Sequence, residues 1–287
     1  MPLPVVAVLD LSFLPALAGF VLLPLVRACN RNSPLLAVLL GLWLTDAAFY
    51  WGLAHGDSVL ARHALLVGID IVLLLVTVIG GRIVPAFTSS ALKQQGIGIS
   101  LRAWPGMTPL AGGVMLVAVV CDVFRPESVA AGAIALAAGV SQAVRLAQWR
   151  MLRTLRMPIV WVLHVAYLWL PVGLMLKGLA LIFGPALAAY YLHALTIGAA
   201  ALMIVAVMTR ASLGHTGRPL VVSRATACAY GLLAAAAVVR VFSPALHPVT
   251  YVKTVVLAAS LWTAAFGIFL WRYTPMLIMP RVDGKPG

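Results

Sequence analysis

Apolar positions run in stretches of about twenty residues along the whole chain, broken by short polar or glycine- and proline-bearing connections. A stretch of that length crosses a ~30 Å hydrocarbon core as a helix. The pattern predicts about nine spans, at roughly residues 8–27, 34–54, 63–86, 108–124, 128–146, 158–182, 187–209, 223–242 and 250–271. Asn32-Ser33-Pro34 opens the second, Phe124-Arg125-Pro126 parts the fourth from the fifth, and Phe183-Gly184-Pro185 turns the chain before the seventh. Proline and glycine start and stop helices at such places. Membrane barrels show ~10-residue alternating segments instead, and these are absent. The predicted fold is all-α, a polytopic transmembrane bundle forming a single domain over residues 1–287.

Composition excludes the soluble alternative. Of 287 residues, 63% are hydrophobic and 9% charged, and the mean hydropathy is +1.06; soluble domains carry about 25% charged residues. The net charge of +13 raises nucleic acid as a partner, but the basic residues are scattered over short connections. That distribution fits topology control and contact with a lipid bilayer, with no nucleic-acid partner. Counting nine spans puts Arg27, Arg31, Arg82, Lys93, Arg102, Arg145, Arg150, Arg153, Arg156, Arg210, Arg218, Arg224, Arg272, Arg281 and Lys285 on one side. Those are fifteen of the twenty Lys and Arg, and such an excess marks the cytoplasm. The N-terminus is therefore expected outside and the C-terminus in the cytoplasm. Cys29, Cys121 and Cys228 lack the close spacing of a disulfide framework or zinc site. Met1 to Asp10 has no basic stretch, so no cleavable signal is expected.

Polar residues inside spans are functional candidates, because charge in lipid is costly. Asp46 and Asp70 fall at similar depths near the midplane, where two carboxylates share a proton or bind a cation; local hydrogen bonding is the competing reading. Lys177 and Lys253 lie near outer helix ends and are expected to snorkel to the interface. His164 sits ~9 Å into span six from the cytoplasmic side, and His193 equally deep in span seven from the outside. Metal–imidazole bonds are about 2.0–2.1 Å, so straight helices keep these two from gripping one ion. His215, in a cytoplasmic turn, is within reach of the His164 layer, while His55, His63 and His247 are candidate neighbours of His193. Ligand and structural roles stay open for each.

Tyr167 follows His164 by three residues and shares its helical face, as a hydrogen-bonding partner or pocket wall. Met175, Met203 and Met208 are core filler or soft ligands. Trp43, Trp51, Trp104, Trp169 and Trp271 are placed as an interfacial belt. Two connections carry more polar chemistry than a linker needs. Gly80 to Leu92, GGRIVPAFTSSAL, sets Arg82 before Pro85, whose missing N–H frees a carbonyl; an arginine there suits a carboxylate such as a haem propionate. Arg210 to Leu220, RASLGHTGRPL, holds two arginines, two hydroxyls and His215, with glycines that let the turn close around a ligand. Headgroup contact and helix capping are the plainer reading of both.

GGRIVPAFT, HVAYLWLPVGLMLKGLA and HALTIGAAALMIVAVMTRASLGHTGRPL together resemble the NnrS family of bacterial inner-membrane proteins. The likeness extends from about Asp10 to Trp271 and is densest between Arg82 and Leu220. It implies a multi-pass protein of the bacterial inner membrane that contains haem and copper, is associated with denitrification, and protects against nitric oxide stress. It further implies that His164, His193 and His215 are metal ligands, with Arg82, Tyr167 and Arg210 beside them at the cofactor. Typical members have about twelve spans and begin with WHAHEM- and GFLLTA…NWTG-like blocks, neither of which occurs here. The chain is expected to start at the fourth family span, with another chain as a possible source of the missing three. Two other classes stay open: a transporter using Asp46 and Asp70 as a relay, and a structural subunit of a membrane complex.

Overall fold

The computed structural model describes residues 2–27, 34–97, 104–184, 188–243 and 248–284. Among the described residues there is no strand, and nine helical stretches are long and apolar enough to cross a membrane. By its internal contacts the chain divides into two compact units, Met1–Leu75 and Val76–Gly287.

The first unit comprises α1 (Leu3–Arg27), α2 (Pro34–Ala54) and α3 (Ser58–Leu75). The α2–α3 turn closes on Gly56, whose φ of +71° lies where a side chain is disfavoured, and on Asp57, whose carboxylate accepts the Leu60 N–H at 2.9 Å. Two side chains tie α1 to α2. The Trp43 indole donates to the Leu11 carbonyl at 2.9 Å, and the Tyr50 hydroxyl donates to Asp10 at 2.8 Å.

The second unit begins with one widened π turn, Val76–Gly80, and runs on through α4 (Gly81–Gln94), α5 (Met107–Phe124) and α6 (Val129–Ala147). A 3-10 turn, Met151–Thr154, leads to α7 (Pro158–Phe183); then follow α8 (Ala188–His193), a second π segment (Ala194–Ala201), α9 (Leu202–His215), α10 (Arg224–Phe242) and α11 (Pro248–Ile278). Ser128 and Ser223 start α6 and α10 by accepting the Ala131 and Thr226 N–H groups. Pro158 starts α7, where its missing N–H loses nothing.

The unit is built around α7, which is buried from Ile159 to Ala180 on most of its surface. Membrane helices gain little from burying apolar area against each other, so close backbone approach has to hold them. A Cβ at Gly178 would stand 2.7 Å from the Gly132 carbonyl of α6, and one at Gly139 would stand 3.1 Å from the Pro171 carbonyl. On its other side α7 meets the second π segment, where a Cβ on Gly173 would press into Leu195 and one on Gly198 into the Trp169 ring.

Several sequence expectations shift. The third span continues unbroken to Gln94, so Arg82 and Pro85 lie within a helix instead of a connection. A membrane helix tolerates proline where neighbours satisfy the freed backbone groups, and the departure from α geometry falls earlier, at Val76–Gly80. The seventh span likewise runs to His215, which occupies its last turn and not a loop. Trp169 is buried against Gly198 and does not join an interfacial belt, whereas Trp51, Trp104 and Trp271 are exposed. Lys177 does not snorkel. It is buried, and its Nζ lies 2.6 Å from Asp122 of α5. Arg31, Arg102, Lys285, Cys29, His247 and the Asn32-Ser33 pair lie outside the described residues.

Candidate functional site

A cluster of buried polar groups lies where α4, α6 and α7 meet. Gln142 and Arg145 stand three residues apart on one face of α6, so both side chains enter the same layer. Gln142 is fully buried and its amide donates to the Ala111 carbonyl of α5 at 3.1 Å. The Tyr167 hydroxyl of α7 donates to Gln142 Oε1 at 2.5 Å. Arg145, 3% exposed, donates through Nη1 to the Thr77 carbonyl at 2.8 Å and to the Tyr167 oxygen at 3.3 Å. The first π turn explains that contact, since widening the helix offsets the i→i−4 ladder and turns a carbonyl outward. Gly81 makes the room: a Cβ there would collide with the Arg145 guanidinium.

Trp149 closes the layer. Its ring meets Tyr167 edge-on at 4.6 Å and His164 at 6.5 Å, with the Arg145 guanidinium 5.7 Å from its centre. His164 is wholly buried. Its Nδ1 lies 3.1 Å from the Val160 carbonyl, while Nε2 has only longer contacts, 3.3 Å to Thr88 Oγ1 and 3.4 Å to the Trp149 carbonyl. The Thr88 hydroxyl gives its own proton to the Val84 carbonyl at 2.7 Å, so oxygen acceptors stand beside both ring nitrogens and the ring proton has a partner on either one. Within the cluster, Arg145 Nε and Thr77 Oγ1 are buried without a hydrogen-bond partner. Arg145 has no carboxylate partner among the described residues. The result is a cation held in an apolar bundle by neutral acceptors alone.

The residues singled out in the sequence are dispersed. His164 and Tyr167 share the buried layer and both touch Trp149, without bonding each other. His193 is half-buried where α8 passes into the second π segment. His215 is exposed, as is Arg82. Arg210 is half-buried, its guanidinium 3.7 Å above the Phe87 ring. The glycine-bearing turn after His215 closes on the chain's own tail: Gly217, with φ +72°, leaves space for the Asp283 carboxylate, and Val282 N–H bonds the Thr216 carbonyl at 3.2 Å. In the first unit, Asp70 is buried, and Asp46 lies within electrostatic reach of Asp10 on α1. Among the described residues no three of His, Cys, Asp and Glu come together as a metal site.

Arg145, Gln142, Thr77 and Trp149 escaped the sequence reading. Arg145 lies within a residue or two of the predicted end of span five and was counted with the cytoplasmic charges. The usable signal was Gln142 and Arg145 at i, i+3 in an otherwise apolar helix.

No curated protein and no solved structure matches the chain. A family model does: the one described as NnrS protein aligns with residues 1–281, the same family that the Arg82–Leu220 blocks resemble. A match over nearly the whole length, on a helical chain with nine membrane-length apolar stretches among its described residues, leaves one reading: the chain is a multi-pass membrane protein of the NnrS family.

Proposed function

We propose that this protein binds haem and copper in the bacterial inner membrane and serves the response to nitric oxide. Membership of the NnrS family over residues 1–281 carries the reading, and the buried layer around Arg145 supports it. The donor chemistry of that layer suits a haem. Ligating histidines characteristically donate their second ring nitrogen to a backbone carbonyl, and with its proton on Nδ1 His164 would do so to Val160, 3.1 Å away. Arg145 Nε and Thr77 Oγ1, orphaned and buried, are donors that an acidic group of the cofactor would satisfy. In this reading His164 holds the iron, and Arg145 with Tyr167 faces the carboxylates. A bound haem would supply the iron to which nitric oxide coordinates; the chain's residues orient it and keep water out.

Copper fits less well. Its sites draw on several nitrogen or sulfur donors at one point, and no three-residue cluster exists among the described residues. His193 and His215 remain as single donors at separate places, so the copper part of the reading rests on the family alone.

An absorption spectrum of protein purified after haem-replete expression, with iron and copper analysis, tests the proposal. A Soret band with about one iron per chain is expected, since one axial histidine serves one haem, and adding nitric oxide to the reduced protein should shift it. No Soret band and no bound iron would end the cofactor reading. A transporter using Asp46 and Asp70 would instead show flux abolished by replacing both with Asn.

A further inference from the structure

A second site lies at one end of the bundle, outside the buried layer. Where α4 ends at Gln94, α7 begins at Pro158 and α9 nears its end at His215, a cleft of roughly 250 Å³ opens. Arg156 and Arg210 line it, with Ser90, Gln94 and Gln95 as neutral hydrogen-bonding groups. No acidic residue lines the cleft, and neither arginine has a carboxylate partner among the described residues. The remaining wall is apolar. It includes Val160 and Val222 of a packed core cluster, and Leu220 and Val221, which are 39% and 75% exposed.

Depth matters as much as charge. Arg156 precedes α7 by two residues and Arg210 lies five before the end of α9, ~7.5 Å along the axis at 1.5 Å per residue. Both guanidiniums therefore belong to the layer where spans emerge from the hydrocarbon. Phosphates of lipid headgroups occupy that layer, and a guanidinium's planar fork matches their paired oxygens. A free oxyanion would have no use for the apolar wall, whereas a lipid sets its glycerol and upper acyl carbons against one.

We propose that the cleft is a binding site for the phosphodiester headgroup of an anionic phospholipid, with Arg156 and Arg210 on the phosphate. It is distinct from the haem reading, because His164, Tyr167, Arg145, Gln142 and Trp149 do not line the cleft, which meets that layer only through Val160.

The test uses the full-length protein in mixed micelles of detergent with phosphatidylglycerol or phosphatidylcholine, read by native mass spectrometry and thermal midpoint. Phosphatidylglycerol should bind in preference and raise the midpoint. R156Q/R210Q should weaken its binding about 10-fold or more per arginine, from the loss of charge-assisted hydrogen bonds to the phosphate. R150Q/R153Q removes two exposed arginines of the same connection, equal in charge but outside the cleft, and should cost no more than the roughly 5-fold per arginine that diffuse surface charge is worth. R156K/R210K keeps the charge without the fork, and an intermediate loss supports the assignment if the glutamine variant misfolds. Equal losses in R156Q/R210Q and R150Q/R153Q would overturn it in favour of diffuse charge. Equal stabilisation by inorganic phosphate would overturn the lipid as ligand.

Discussion

Among the described residues of the second unit two cations are buried, and they are treated in opposite ways. Lys177 on α7 meets a carboxylate, Asp122, at 2.6 Å. Arg145 on α6 meets a backbone carbonyl and a phenol. A buried ion pair roughly cancels its own desolvation cost and leaves no field for a ligand. A buried cation on neutral acceptors keeps its field and gains when something anionic arrives. Lys177–Asp122 is thus a fastening between helices, whereas the Arg145 layer keeps a cation without a carboxylate partner among the described residues.

The widest break in that comparison comes from removing a counter-charge. Asp122→Asn removes the counter-charge of Lys177 and should lower stability by about 3–5 kcal/mol, the usual consequence of breaking a buried ion pair from one side, measured by denaturation in detergent. The double change D122L/K177M should restore most of it. If the double variant is as unstable as the single, the pair is not a self-contained fastening.

Arg145→Met should be milder, about 1–3 kcal/mol, because it leaves only neutral groups unsatisfied. A cost as large as that of Asp122→Asn would mean Arg145 has a counter-charge after all. Gly81→Ala probes the same spot from α4. Its added methyl overlaps the guanidinium, and overpacking of this kind costs about 1–3 kcal/mol. In the R145M background the penalty should shrink; a penalty that stays whole would show that Gly81 matters for another reason.

Tyr167→Phe deletes the hydroxyl that links Gln142 to Arg145 and should cost about 1 kcal/mol, the typical net worth of one such bond. The smallest effect belongs to Lys253, exposed on α11, whose replacement by Ala should leave the unfolding midpoint where it was.

Span number and most boundaries were legible because hydrophobic length is dictated by the bilayer, and nothing tertiary needs to be known to read it. Places where helices exceed that length were not legible. The α4 extension to Gln94 is amphipathic and the α9 extension to His215 carries Arg210, Ser212 and His215, so both look like loops to a hydropathy count. The site divided in the same way. His164 and Tyr167 announced themselves as polar groups one helical turn apart, and both are in the buried layer. Arg145 did not, because an arginine near a span end has the same sequence signature whether it points to lipid headgroups or into the bundle. Lys177 was misread for that reason too; its partner, Asp122, is fifty-five residues away and on a different helix.

The most direct measurement is the absorption spectrum of the purified protein compared with those of His164→Ala and D122L/K177M. A haem site in the Arg145 layer predicts a Soret band in the parent, its loss or displacement in H164A, and an unchanged band in D122L/K177M. A Soret band indifferent to His164→Ala, in protein that remains folded, would contradict the assignment of this layer as the cofactor site.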